Sequence, residues 1–225
     1  MDEATAEKIV ETLSGVFSDK PALRYGTPYQ LLVAVILSAQ CTDERVNKVT
    51  EALFRDYGTP EKMAEINAQT LEKYIFSCGL YKTKAAHIIS ATRDILDKFG
   101  GRVPNDLESL RSLAGVGRKT ANVVYSVAFG GNAIAVDTHV FRVSNRIGLV
   151  DADDVLKTEK GLMRILPENV WSRAHHYLIY LGRSFCKAAR PDCANCPING
   201  YCEKKIKSKN PKRQTAADRE SVKGI

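Results

Sequence analysis

Four of the six cysteines, Cys186, Cys193, Cys196 and Cys202, fall within seventeen positions near the end of a 225-residue chain. Thiols so crowded read as one short loop closed around a metal, because a chain of this length with 44% hydrophobic residues can bury a core without disulfide staples. The loop, CKAARPDCANCPINGYC, has the spacing C-x6-C-x2-C-x5-C and carries Pro191 and Pro197. An iron-sulfur cluster is held by four cysteines in this manner. Zinc also accepts four thiolates, but its usual pattern is two short knuckles, and only the pair Cys193 and Cys196 has that spacing. Spacing therefore favours a cluster and leaves zinc as the alternative. Lys187 and Arg190, between the first two cysteines, could rest on nucleic-acid phosphates.

Charge points the same way. The formal net charge is +7, and residues 203–225 hold eight Lys or Arg against three Asp or Glu, a surplus of 8 − 3 = 5, which leaves +2 for the rest. That basic tail has almost no apolar residues and is expected to be disordered, at least in part. It attracts phosphates without sequence preference, or merely aids solubility. No basic segment followed by an apolar one opens the chain, and no apolar run approaches membrane-spanning length. The expected setting is reducing and intracellular, with no membrane partner.

Elsewhere, apolar residues recur at helical intervals. Ile9, Val10, Leu13, Val16 and Phe17 form one stripe, and Ala85, Ile88, Ile89, Thr92, Ile95, Leu96 and Phe99 form another. Thr59 with Pro60 reads as a helix start, and Gly79, Gly100 and Gly101 read as stops. Periodicity alone would allow a strand at LLVAVIL, Leu31 to Leu37, but its helical surroundings favour a buried central helix. The fold class is all-α, with about ten helices and short connections.

Against this background LAGVGRKTANVV, Leu113 to Val124, stands out. A short helix over 107–113 and a second over 118–129 flank a turn in which Gly115 and Gly117 permit positive φ and uncover backbone amides at a helix N-terminus, an anion site. It fits neither a Walker loop, because Arg118 separates glycine from lysine, nor a dinucleotide loop, because Thr120 stands where a third glycine is required. Lys119 sits where the helix dipole opposes a cation. An ordinary lysine is neutral in roughly four molecules per ten thousand at pH 7, too few for an efficient nucleophile. The dipole, Arg118 and burial in a cleft would all disfavour its ammonium form. A carboxylate partner is available in IAVDTHVFR, where Asp137 suits a helix N-cap and could also stabilise a cationic sugar or help deprotonate an amine.

These motifs, in this order, together with LLVAVILSAQCTD (Leu31 to Asp43), resemble the bacterial endonuclease III family, DNA glycosylases of the helix-hairpin-helix superfamily. The resemblance spans about residues 28–202 and implies two domains. These are a six-helix barrel over 22–132, with the helix-hairpin-helix motif at about 107–129, and a cluster domain made of 1–21 and 133–210, followed by a basic, flexible tail at 211–225. It implies that Lys119 attacks C1′ of a damaged nucleotide and that Asp137 assists. The base leaves, a Schiff base forms, and β-elimination nicks the strand. A lysine at position 119 implies combined glycosylase and lyase chemistry, since relatives that only remove bases usually carry another residue there. The resemblance also implies a 4Fe-4S cluster on Cys186, Cys193, Cys196 and Cys202, and duplex DNA with oxidised pyrimidines or abasic sites as substrate. Further DNA contacts would come from Gly115, Val116, Gly117, Arg118, His139, Lys187 and Arg190. Gln40 would fill the space left by a flipped nucleotide, Leu80 in GLYKTKA would wedge beside it, and Asp43 and Thr138 would lie nearby. The implied enzyme is a monomer in the cytoplasm of a prokaryote, at the nucleoid. Ala114 departs from the family, which usually has proline there.

Overall fold

A computed structural model of the chain describes residues 1–206; the basic tail at 211–225 and the last residues assigned to the second domain lie outside the described residues. The described residues form α1 (Glu3–Ser14), α2 (Pro28–Ser38), α3 (Asp43–Tyr57), α4 (Pro60–Ala64), α5 (Ala68–Ile75), α6 (Tyr81–Phe99), α7 (Leu107–Ser112), α8 (Arg118–Phe129), α9 (Thr138–Ile147), α10 (Val155–Ile165) and α11 (Trp171–Ser184). A 3-10 turn, Glu168–Val170, leads into α11, and no strand occurs among the described residues.

Local chemistry sets most of these ends. Asp2, Thr27, Thr42, Thr59, Asn67, Asp106, Asp137 and Asp154 each accept a hydrogen bond from an amide of the turn they start. Each satisfies donors that the helix itself leaves unpaired. At the other end, α6, α8 and α9 stop at Gly100, Gly130 and Gly148, all with left-handed backbone.

Two apolar clusters organise the packing. The first surrounds α2, whose residues from Leu31 to Leu37 are all buried, so the LLVAVIL segment is a helix enclosed on every side. Around it pack Leu53 of α3, Met63 of α4, Leu71 and Ile75 of α5, Ile88 and Ile95 of α6, and Val124 of α8. The second cluster joins Ile9 and Leu13 of α1 to Val140 and Val143 of α9, Leu162 of α10, and Leu178 and Leu181 of α11. Ile198, from the cysteine loop, is fully buried in it. One member of the first sequence stripe does not belong: α1 ends at Ser14, and Val16 is 51% exposed. The chain leaves the helix at Gly15 and so loses the register that would have turned Val16 inward.

Leu13→Ala should therefore cost about 2–5 kcal/mol of stability, as expected for a buried leucine, whereas Val16→Ala should stay within about 0.5 kcal/mol. Urea denaturation of the two variants measures both.

Candidate active site

The hairpin between α7 and α8 closes through a hydrogen bond from the Val116 amide to the Leu113 carbonyl (3.1 Å). Gly115 has φ 76°, and a Cβ there would come within 2.8 Å of the His87 side chain, so both conformation and space demand glycine. Gly117 differs from expectation: its φ is −81°, and open space lies where its side chain would be. Its value is access to the backbone, because no side chain caps α8 and the amides of Arg118, Lys119 and Thr120 are left for an outside acceptor.

Two residues assigned to this phosphate site are already engaged. Val116 is 5% exposed, with its side chain in the first cluster and its amide used in the hairpin, so it holds the turn instead of presenting a side chain to DNA. Arg118 forks onto the buried carboxylate of Glu159 on α10, with Nη2 2.6 Å from Oε1 and Nε 2.9 Å from Oε2. This pair raises the Arg118 pKa further and links the two clusters. It leaves the residue's backbone, more than its charge, for phosphate.

Lys119 and Asp137, eighteen positions apart in sequence, line one cleft. Lys119 is exposed in the first turn of α8, while half-buried Asp137 caps α9 and accepts from the amides of His139 and Val140, both 2.8 Å from Oδ1. Its Oδ2 receives no hydrogen bond among the described residues, so the capping role leaves one oxygen for chemistry. Asp43 lines the same cleft from the first turn of α3 and pairs with Arg183 of α11 (2.7 Å). Thr138 and His139 do not line it. Thr138 is exposed, and His139 lies against Gly182 and Arg142, with Nδ1 3.2 Å from the Arg142 guanidinium and its pKa lowered chiefly by burial.

Sequence reasoning missed the floor of the cleft. His175 and His176 of α11 lie there with their rings tilted by 36°, centroids 3.9 Å apart, and exposures of 1% and 5%. Neither His175 Nδ1 nor His176 Nε2 has a hydrogen-bond partner among the described residues. Burial drives the His175 pKa well below normal, and the charges of His176 and Lys119 push the same way; burial brings His176 down to about 4. The adjacent pair, among only four histidines in the chain, was the available signal.

Gln40 and Leu80 are both exposed, and both have left-handed backbone, with φ 52° and 58°. For residues other than glycine this costs about 1–2 kcal/mol each, a strain that clusters at functional sites. They approach one another: a Cβ on Gly79 would lie 3.2 Å from the Gln40 carbonyl oxygen. Ser38 and Asp43, on either side of Gln40 in the chain, both line the cleft, so the Gln40 turn joins two of its lining residues.

The four clustered cysteines line a single small cavity. Among the described residues no group of three or more His, Cys, Asp or Glu side chains stands ready-formed around a metal-ion position. Four cysteine side chains around a shared space are a donor set that an iron-sulfur cluster or a zinc ion can use. Hydrogen-bond donors suited to thiolate also point at these sulfurs, from the Lys204 amide to Cys202 Sγ (3.3 Å) and from Arg146 Nη1 to Cys186 Sγ (3.9 Å). Burial foremost raises the pKa of Cys196 and Cys202, a cost that a bound cationic centre reverses. Two arginines of α9 that the sequence did not single out brace the loop: Arg142 donates to the carbonyls of Gly182 (3.0 Å) and Cys186 (3.1 Å), and Arg146 to those of Lys187 (2.7 Å) and Ala188 (3.0 Å). Lys187 and Arg190 are exposed on this loop, Arg190 with φ 53°.

Residues 33–168 match the family described as HhH-GPD superfamily base excision DNA repair protein. Endonuclease III of Bacillus subtilis (strain 168) is 51% identical over 181 residues, 80% of this chain and 83% of its own. The chain belongs to the endonuclease III family. Endonuclease III of Escherichia coli (strain K12) is 44% identical over 185 residues, 82% of this chain and 88% of its own. A solved structure of a trapped endonuclease III–DNA covalent intermediate superposes with a TM-score of 0.85 at 46% identity, covering 91% of this chain and 97% of that one. A thermostable thymine-DNA glycosylase, 24% identical with a TM-score of 0.78 over 89% of this chain and 96% of its own, shares the fold. The enzyme is thus an all-α base excision repair protein, a DNA glycosylase and abasic-site lyase.

The paired histidines give this endonuclease III relative a pH signature. Unfolded histidine titrates near 6.5, whereas His176 is held at about 4 by burial. Between these values the unfolded chain binds a proton that the folded chain does not. The contribution is complete above about pH 6.5 and is lost as pH falls towards 4. In His176→Gln the loss of unfolding free energy from pH 7 to 4.5 should be about 2–3 kcal/mol smaller than in the wild type, measured by urea denaturation at the two pH values.

Proposed function

We propose that Lys119 is the amine nucleophile and Asp137 its carboxylate partner, acting on oxidised pyrimidines and abasic sites in duplex DNA. The observation that carries this reading is their meeting in one cleft, with Lys119 beside the uncapped amides of α8 and Asp137 retaining a free oxygen. The enzyme binds DNA. The α8 amides and the exposed Lys187 and Arg190 hold its backbone. The damaged nucleotide leaves the stack and enters the cleft, at a cost of about a few kcal/mol that is least where the lesion already weakens stacking. Gln40 and Leu80, exposed on adjoining strained turns, fill the space it vacates.

In the cleft, the Lys119 amine gives a proton to Asp137 and forms a bond to C1′ as the glycosidic C–N bond breaks and the base departs. The sugar ring opens to a Schiff base between Nζ and C1′. Loss of a C2′ proton then expels the 3′ phosphate, which nicks the strand. When Asp137 passes the Lys119 proton on to the departing base, its regained carboxylate offsets the positive charge of the Schiff base. The lysine and carboxylate come from separate helices and separate apolar clusters, so proton exchange can await substrate.

Cys186, Cys193, Cys196 and Cys202 would hold a 4Fe-4S cluster, whose contribution when bound is to crosslink the loop that carries Lys187 and Arg190. The two apolar clusters support a barrel domain at 22–132 and a second domain at 1–21 and 133–210. Among the described residues no helix is long and apolar enough to cross a membrane. The proposed setting is the cytoplasm of a prokaryote, at the nucleoid, with the enzyme as a monomer.

Borohydride reduction during reaction with a duplex containing one oxidised pyrimidine should give a covalent protein–DNA band that Lys119→Ala abolishes and Asp137→Asn strongly weakens. An adduct that survives Lys119→Ala would reassign the nucleophile. Elemental analysis of the purified protein should find about four iron and four acid-labile sulfide per chain; stoichiometric zinc without sulfide would establish the alternative site.

A further inference from the structure

Lys84, in the first turn of α6, is 4% exposed, and none of the ion pairs among the described residues includes it. Its ammonium donates to two backbone carbonyls, those of Leu37 (2.8 Å) and Ala39 (2.6 Å). Its titratable neighbours are Cys78 and Cys41. Burial, followed by Cys41, pushes the Cys78 thiol up to about 11, so Cys78 supplies no negative charge at neutral pH. A buried cation without a carboxylate is costly, and its retention asks for a reason.

The two carbonyls supply it. They belong to the end of α2, where a helix has unpaired acceptors and the negative end of its dipole. Unlike α6, α8 and α9, α2 does not stop at a left-handed glycine; Ala39 follows it, and then the left-handed Gln40. On the other side, the chain enters α6 through left-handed Leu80, whose carbonyl accepts from the Lys84 amide (3.0 Å). Between them, Gly79 meets the Gln40 carbonyl. One residue thus bonds both strained turns, through its backbone on the Leu80 side and its side chain on the Gln40 side. Left-handed residues other than glycine persist only where their surroundings over-determine them.

We infer that Lys84 is a positioning residue that holds the Gln40 and Leu80 turns as a single preformed wedge, ready to enter the duplex as the damaged nucleotide leaves. The inference rests on the reading of Gln40 and Leu80 as inserting residues. It assigns Lys84 a role in duplex processing that is separate from the amine chemistry of Lys119.

Two substrates test it with the full-length, cluster-loaded protein: a duplex with one oxidised pyrimidine, and a single-stranded oligonucleotide with a preformed abasic site, where no paired stack is left to fill. Lys84→Met should lower kcat/KM on the duplex on the order of a hundredfold while strand cleavage of the single strand stays within about twofold. In a Gln40→Ala, Leu80→Ala background it should add nothing, since the wedge is already gone. Equal loss on both substrates, or full duplex activity in Lys84→Met while Gln40→Ala and Leu80→Ala lose it, overturns the inference. If Gln40→Ala and Leu80→Ala keep full duplex activity, the insertion reading falls first and takes the wedge with it. Should Lys84→Met not fold, Lys84→Gln, which keeps a donor for one carbonyl, replaces it; failure of both to fold makes Lys84 a folding residue and likewise overturns the inference.

Discussion

Unpaired backbone groups at helix ends govern this molecule. A helix leaves amides without acceptors at its start and carbonyls without donors at its finish, and neither can be buried without a partner. Eight helices answer the first need with a capping side chain. Three helix starts bear on the cleft, where Asp43 from α3 and Asp137 from α9 set carboxylates on the favourable end of a dipole and Lys119 from α8 sets a cation on the unfavourable end. At the finish of α2 the polarity is reversed, and there a buried lysine is welcome. Lys119 lies at an anion-binding helix terminus where a phosphate can offset its charge.

The cleft exists because the two apolar clusters are built separately and then joined. Val116, Ala121 and Val124 tie the hairpin and α8 to the first, and Val136, Val140 and Val143 tie the Asp137 segment and α9 to the second. The Arg118 to Glu159 pair crosses between them. Its cost is partly repaid by geometry, since a forked guanidinium satisfies both oxygens of a carboxylate that is 5% exposed. The α9 helix connects the chemistry to the cysteine loop, with Asp137 at its start and Arg142 and Arg146 along its length on the loop carbonyls.

Much of this was legible in the sequence because it is local. Helix periods, caps and glycine stops depend on neighbours within a few residues, so α8 begins and ends where the pattern put it, and Asp137 is the N-cap its context favours. Val16 was misplaced because a stripe continues on paper after the helix has ended. Val116 was assigned to DNA by its position in the hairpin, although its apolar side chain is core. Arg118 was assigned to DNA with no sign of its ion pair, because the partner, Glu159, lies 41 positions away on another helix.

What the sequence determined by itself was the all-α class, the hairpin, the Asp137 N-cap and the spacing of the four thiols, each carried by a short local pattern. Only the tertiary structure decided which groups share a space. It brought Lys119 and Asp137 into one cleft, set the paired histidines of α11 as its floor, and fastened the strained turns of Gln40 and Leu80 to Lys84. Such contacts join residues tens of positions apart, and their energy comes from desolvation and hydrogen-bond geometry that exist only once the helices have packed.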